Sequence, residues 1–243
     1  MLRLKDADLS RTLTKQAYEK RAKDNQVRLV RMQHQINKHR LPVIIAVEGW
    51  DAAGKGGTIR RLLKNVDPRY YRVHSISKPT ELELDHHYLW RFWRRMPQRG
   101  ELVVFDRSWY GRVLVERVEG FAKTHEWRRA YDEINQFEAQ LVSDGHLIIK
   151  CFLHISKDEQ KQRFEAREKN PLKAWKMNEE DYRNRKRWPD YQEAIDEMFA
   201  RTHQRCAPWH LVPANDKRFA RIQIQDLVID AVERHLAQLK HRK

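Results

Sequence analysis

Apolar positions follow two alternating patterns along this chain. Apolar runs at Val43 to Val47 and Leu102 to Phe105, and the largely apolar stretch Leu147 to Leu153, predict strands buried on both faces, and Arg72 to Ser77 and His210 to Val212 predict two more. Between them, apolar residues recur every three or four positions. Leu13 to His39 predicts one charged amphipathic helix that ends before Pro42, and the helix after Lys55 carries Ile59, Leu62 and Leu63. Glu81 to Met96 predicts a helix with Leu82, Leu89, Phe92, Trp93 and Met96 on one face. Trp127 to Val142 and Phe219 to Leu239 predict two more, and Lys157 to Trp188 a highly charged helical segment broken near Asn170-Pro171. This alternation predicts an α/β fold, a parallel sheet flanked by helices on both faces, with ligands collecting at the carboxyl ends of the strands. No internal repeat, low-complexity tract or flexible linker interrupts it, so residues 1–243 are expected to form a single domain, with residues 1–40 as an N-terminal helical extension.

The junction of the first strand with its helix reads V-I-I-A-V-E-G-W-D-A-A-G-K-G-G-T, Val43 to Thr58. A Gly-x-x-x-x-Gly-Lys turn between strand and helix is a phosphate-binding P-loop. Its glycines let backbone N–H groups approach phosphate oxygens, the helix N-terminus adds positive potential, and the lysine reaches the outer phosphates. The expected phosphate cradle is Gly49, Ala52, Ala53, Gly54, Lys55, Gly56, Gly57 and Thr58. The residue after Lys55 is Gly56 rather than Ser or Thr, so the usual Mg²⁺-holding hydroxyl is missing, while an acid, Asp51, sits inside the loop.

Composition narrows the setting. Hydrophobic residues make up 40% of the 243, and no apolar run approaches the ~20 residues of a membrane span. The N-terminus lacks the apolar core of a signal peptide, and two cysteines, Cys151 and Cys206, give neither a disulfide framework nor a zinc spacing. A cytoplasmic protein is expected, with no membrane partner. Lys plus Arg number 49 against 34 Asp plus Glu, a net charge of +15. Such an excess points to a polyanionic partner or, if scattered, to a solvated surface.

Two further segments carry candidate chemistry. Asp106 closes an apolar strand in L-V-V-F-D-R-S-W-Y-G-R, where an acid acts through Mg²⁺ in P-loop proteins or else caps the strand. Arg107 beside it offers a planar fork for phosphate. Arg112, Glu116 and Arg117 could line the same cleft or form surface ion pairs. The segment Lys157 to Trp188 holds eleven Lys/Arg residues and seven acids. It reads either as a lid closing over phosphates, with Arg163, Arg167, Lys173 and Lys176 as candidate cations, or as a solvated helical hairpin. His86-His87 reads as exposed helix rather than a metal site, and Trp90 with Trp93 as core.

Together, E-G-W-D-A-A-G-K-G-G-T-I-R-R, K-P-T-E, F-D-R-S-W-Y-G-R-V-L-V-E-R-V, K-x-W-K and R-x-x-W-x-x-Y resemble the polyphosphate kinase 2 family, from about Leu41 to the C-terminus. The resemblance implies a P-loop kinase fold with a helical lid over residues 157–188. It also implies reversible, Mg²⁺-dependent phosphoryl transfer between inorganic polyphosphate and a nucleotide. It makes Asp51 the family's loop aspartate, so that Gly56 is a family trait. It further implies that Asp51, Lys55, Asp106, Arg107 and Arg163 are the functional positions. The stretch Trp109 to Phe121 resembles the polyphosphate:AMP phosphotransferase branch, whose members often carry two fused copies of the domain, where this sequence carries one.

On this reading the attacking group is a phosphate oxygen of the acceptor. With a second pKa near ~6 it needs no strong general base. Asp51 and Asp106 are therefore assigned to holding Mg²⁺, while Lys55, Arg107 and the lid neutralise charge. The expected partners are polyphosphate and AMP or ADP, in a homo-oligomer. The alternatives are diphosphate acceptors (ADP or GDP), an ATP-dependent nucleotide kinase, and a nucleic-acid-binding P-loop protein. The last lacks any groove-reading or base-stacking module.

Overall fold

The structure, a computed structural model, describes residues 2–172, 174–176 and 179–241. Its five strands are β1 (Val43–Gly49), β2 (Tyr71–Ser75), β3 (Leu102–Asp106), β4 (Leu147–His154) and β5 (Trp209–Pro213). They form one parallel sheet in the order β2-β3-β1-β4-β5. The three apolar stretches are its three inner strands, buried because both faces are covered, with Lys150 of β4 the one charged residue inside them. In register, Val47 lies opposite Asp106 on one side and Cys151 on the other, so the ends of β1, β3 and β4 are level. The P-loop leaves the sheet there, at its centre.

Two long helices cover one face: α1 (Lys15–Lys38) lies along α10 (Lys217–His241), and α10 packs on β4, β5 and α2 (Lys55–Leu62). Asn25 of α1 donates to Asp226 at 2.6 Å, and Arg28 pairs with Asp230 and Glu233 at 3.0 Å each. The segment before Leu41 is thus built into the fold. The opposite face is covered by α6 (Thr124–Ser143), which packs on β4 and against α9 (Trp188–Thr202).

Two expectations need correction. The predicted helix over 81–96 is two single turns, α3 (Glu81–Leu84) and α4 (Trp90–Trp93). Glu83 rather than Leu82 turns inward, capping Thr80 and pairing with Arg91 and Arg95 at 3.4 and 2.8 Å, which folds the chain back and leaves Leu82 57% exposed. Leu89 and Phe92 enter the core. Trp93 is 44% exposed, and Trp90 stacks on exposed His86 with centroids 4.0 Å apart. The second correction is α9, a fifteen-residue helix that the charged pattern before it hides. Pro189 in its first turn is the start signal that the sequence did offer.

One ion pair lies wholly inside the core. Lys150, on β4, donates to Glu138 of α6 at 2.7 Å, to the Tyr110 hydroxyl at 2.8 Å and to the Thr202 carbonyl at 2.8 Å. Glu138 also accepts from Tyr110 and from the Trp109 indole at 2.7 and 3.1 Å. The network satisfies both charges and fixes the turn Trp109–Arg112, which follows β3 at the edge of the cleft.

Candidate active site

Backbone geometry builds the loop. Gly49 has φ +148°, and a Cβ there would lie 2.5 Å from the Leu153 carbonyl oxygen, so only glycine lets β1 turn away from β4 at this point. Gly54, at φ +108°, caps α2 in a left-handed conformation. Between them, Ala53 N–H closes a turn onto the Trp50 carbonyl at 3.0 Å. The first turn of α2 leaves the N–H groups of Lys55, Gly56 and Gly57 without intrahelical acceptors, which makes this end a ready anion site. Thr58 is buried beneath it.

The charged groups converge on the loop from three elements. Arg107, just past β3 and itself at φ +66°, donates to Asp51 at 3.1 Å. Burial alone would raise the Asp51 carboxyl, but Lys55, Arg107 and a hydrogen bond from Asn184 hold it below the usual carboxylate range. Lys55 donates to the carbonyls of Gly49 and Trp50 at 2.7 and 3.2 Å, and burial, reinforced by Arg107, lowers its pKa. Asp106 faces Gly56: a Cβ on that glycine would sit 3.5 Å from Asp106 Oδ2. No protein donor binds the Asp106 carboxylate among the described residues.

The charged segment after β4 contains α7 (Lys157–Glu168) and α8 (Glu179–Lys186). Gln160 of α7 donates to the Asp51 carbonyl at 3.1 Å, and Asn184 of α8 donates to the Asp51 carboxylate at 3.0 Å. Trp188, opening α9, stacks on Trp50 of the loop with centroids 3.6 Å apart and planes within 5°. The Trp50 indole N–H in turn donates to His154 Nδ1 at 2.8 Å. The cavity left between segment and loop is about 110 Å³, bounded by Asp51, Arg107, Leu114, Asn184, Tyr191 and Ile195. Gln160, Asn184 and Trp188 thus hold this segment directly against the loop.

The remaining predicted residues divide. Arg112 and Glu116 form a 3.1 Å pair with Arg112 over the Tyr88 ring, beside Gly111, which lines the cleft. Burial raises the Glu116 carboxyl despite Arg112. Arg117, on the single turn α5 (Val115–Val118), is turned away, bonded to the Tyr131 hydroxyl, Glu197 and Glu193 at 2.9, 2.6 and 2.9 Å, where it ties α5 to α6 and α9. Arg163 is buried and does not present its charge to the cleft. Its donors reach the carbonyls of Ala52, Ala53, Ala214 and Asn215 at 3.0, 2.8, 2.6 and 2.9 Å, and Glu159 at 2.5 Å, which uses all five N–H groups. It is a brace behind the P-loop. Arg167 forms no ion pair among the described residues. Lys173 and the side chain of Lys176 lie outside them.

Sequence reasoning missed Glu48, Trp50, Gln160 and Asn184. Glu48 is buried, raised in pKa by that burial, and accepts from Ser108 N–H and hydroxyl at 2.7 and 2.8 Å, which joins the P-loop to the turn after β3. A charged residue closing an apolar strand was its visible signal. Asn184 had none, since it is one polar residue in a polar run.

The family model for polyphosphate kinase 2 matches residues 12–240. A protein of Pseudomonas syringae pv. tomato named Polyphosphate:AMP phosphotransferase is 46% identical over 98% of this chain and 48% of its own length. A Pseudomonas aeruginosa chain of known structure superposes with a TM-score of 0.93 at 46% identity, over 96% of this chain and 50% of its own. The crystal structure of polyphosphate kinase 2 from Arthrobacter aurescens superposes at 0.91 with 36% identity, over 96% of this chain and 85% of its own. This chain spans about half the length of the two Pseudomonas proteins. With a match over nearly its whole length, and a P-loop kinase fold in which the loop aspartate and the strand-end aspartate converge, the chain belongs to the polyphosphate kinase 2 family.

Proposed function

We propose that this chain transfers a phosphoryl group from inorganic polyphosphate to a nucleoside monophosphate, with AMP favoured, and that residues 1–243 act as one catalytic unit with Lys157 to Trp188 as its lid. The observation that carries the reading is the loop itself. Asp51 stands inside it, Asp106 faces Gly56 where the usual hydroxyl would be, and Lys55 and Arg107 flank both acids. The AMP preference rests on the name of the Pseudomonas syringae relative.

The two acids suit a divalent cation, for which we take Mg²⁺. The Asp106 carboxylate is unengaged, each Asp51 oxygen keeps a lone pair beyond its one protein donor, and no group of three or more acidic, His or Cys ligands exists among the described residues. That donor set matches an ion held by one or two carboxylates plus substrate phosphates. Mg²⁺ would supply charge neutralisation on the phosphate oxygens. The protein's own part is to hold the donor phosphates on the free N–H groups of α2 and to keep Lys55 and Arg107 against the transferring group. The lid excludes water, so that transfer is to the nucleotide and not to solvent.

No helix among the described residues is long and apolar enough to cross a membrane. Cys151 and Cys206 are both free, which suits a reducing cytoplasm. The test is a set of parallel initial-rate assays with polyphosphate and AMP, ADP, GMP or GDP, with products separated chromatographically. AMP should give the highest kcat/KM. A tenfold advantage for ADP or GDP would move the chain to the diphosphate-using branch.

A further inference from the structure

With Arg163 committed to the loop's carbonyls, charge for the rest of a phosphate chain has to come from elsewhere. Two residues beyond Lys55, the bare Cα of Gly57 faces two guanidinium groups. A Cβ placed there would lie 3.9 Å from Arg61 Nη1 on α2 and 3.9 Å from Arg221 Nη2 on α10. Arg61 donates to the Gly57 carbonyl at 3.0 Å, and Gln225 of α10 donates to the Arg61 carbonyl at 3.1 Å, which locks the two helices in this register. Neither arginine forms a salt bridge among the described residues. Both are half-buried, and Arg60 and Arg218 stand exposed on the same two helices, with Lys64 exposed just past the end of α2.

Two like charges fixed side by side without a carboxylate are costly, and the cost is relieved by an anion. Arg221 carries the mark of that arrangement. Burial, Arg61 and Arg163 all lower its pKa, opposed only by Tyr18 of α1. Planar forks are the side chains best fitted to phosphate oxygens. A glycine between them leaves room for a phosphate to approach the helix backbone. The pair lies within one turn of the loop's free N–H groups.

We infer that Arg61 and Arg221, with Gly57 between them, form a second phosphate subsite that holds the non-reacting part of the polyphosphate donor and sets the preference for long chains. The inference rests on the polyphosphate reading above. Its ligand class is a linear phosphoanhydride longer than the part cradled by the P-loop.

The experiment compares kcat/KM for long-chain polyphosphate and for tripolyphosphate, at several salt concentrations, in wild type, Arg61→Ala, Arg221→Ala and Lys38→Ala. Lys38 ends α1, at the opposite end of the sheet, and controls for the loss of one charge. A Gly57→Ala variant adds a steric test at unchanged charge. The ratio of long-chain to short-chain kcat/KM should fall about tenfold in each arginine variant, with a shallower dependence on salt, and should stay constant in Lys38→Ala. Circular dichroism of each variant establishes that it is folded. Equal ratios in the arginine variants and wild type would overturn the subsite, as would an equal fall in Lys38→Ala. Absence of any transfer from polyphosphate by the wild type would instead overturn the functional reading.

Discussion

At the scale of single residues, the proposed function separates groups that would meet phosphate or its metal ion from groups that hold them in place. Lys55 and Asp106 belong to the first kind: one reaches over the loop and the other faces the bare Gly56. Lys55→Ala and Asp106→Asn should each lower kcat by ~10²-fold or more with unchanged unfolding midpoints, because the lost stabilisation is realised in the transition state. Steady-state rates and thermal melts check both halves of that statement. His154 belongs to the second kind. Burial depresses its pKa to about 4, and the neutral ring so favoured is the form that can accept the Trp50 indole N–H. A depressed base binds fewer protons folded than unfolded, so its contribution is full above the unfolded pKa and is lost as pH falls toward the folded one. Between pH 7 and 4 the wild type should lose on the order of 3 kcal/mol more stability than His154→Gln, measured by urea unfolding at each pH.

At the scale of elements, the sheet is held to its helices by a buried ion pair as well as by apolar packing. Lys150→Met would strand the Glu138 carboxylate in the core and should cost ~3–5 kcal/mol, whereas adding Glu138→Leu to it should restore much of the loss. Denaturant midpoints of the two single variants and the double variant form the cycle that measures this. The elements also show what the sequence could and could not convey. The inner strands were legible because short, nearly continuous apolar runs bounded by polar residues in an α/β chain have no other place to go. The P-loop was legible because its glycines answer to backbone geometry alone. The stretch over 81–96 misled because an acid, Glu83, takes the inward position that hydrophobic spacing gives to Leu82. Arg163 reads in the sequence as a candidate cation for phosphate, not as the brace that its contacts make it. Its partners are carbonyls more than 50 residues away, and no sequence pattern marks a carbonyl as an acceptor. Asn184 reaches Asp51 across 133 positions for the same reason.

At the scale of the whole molecule, a net charge of +15 is laid over a fold whose catalytic turn needs only a few cations. Many of the surplus cations are consumed by structure: Arg28 on α10, Arg91 and Arg95 on Glu83, and Arg117 on α9. Others form no salt bridge among the described residues, including Arg61 and Arg221, whose guanidinium groups meet beside Gly57, and the exposed Arg60 and Lys64. A polyanion several phosphates long accounts for that distribution better than a nucleotide alone. The central claim is therefore about the donor, and the most direct measurement is transfer of label. The chain is incubated with ³²P-labelled polyphosphate, unlabelled AMP and Mg²⁺, with no ATP present, and the nucleotides are resolved. The account predicts that label appears in the β-phosphate of ADP. Label confined to polyphosphate, with ADP formed only when ATP is added, would contradict it.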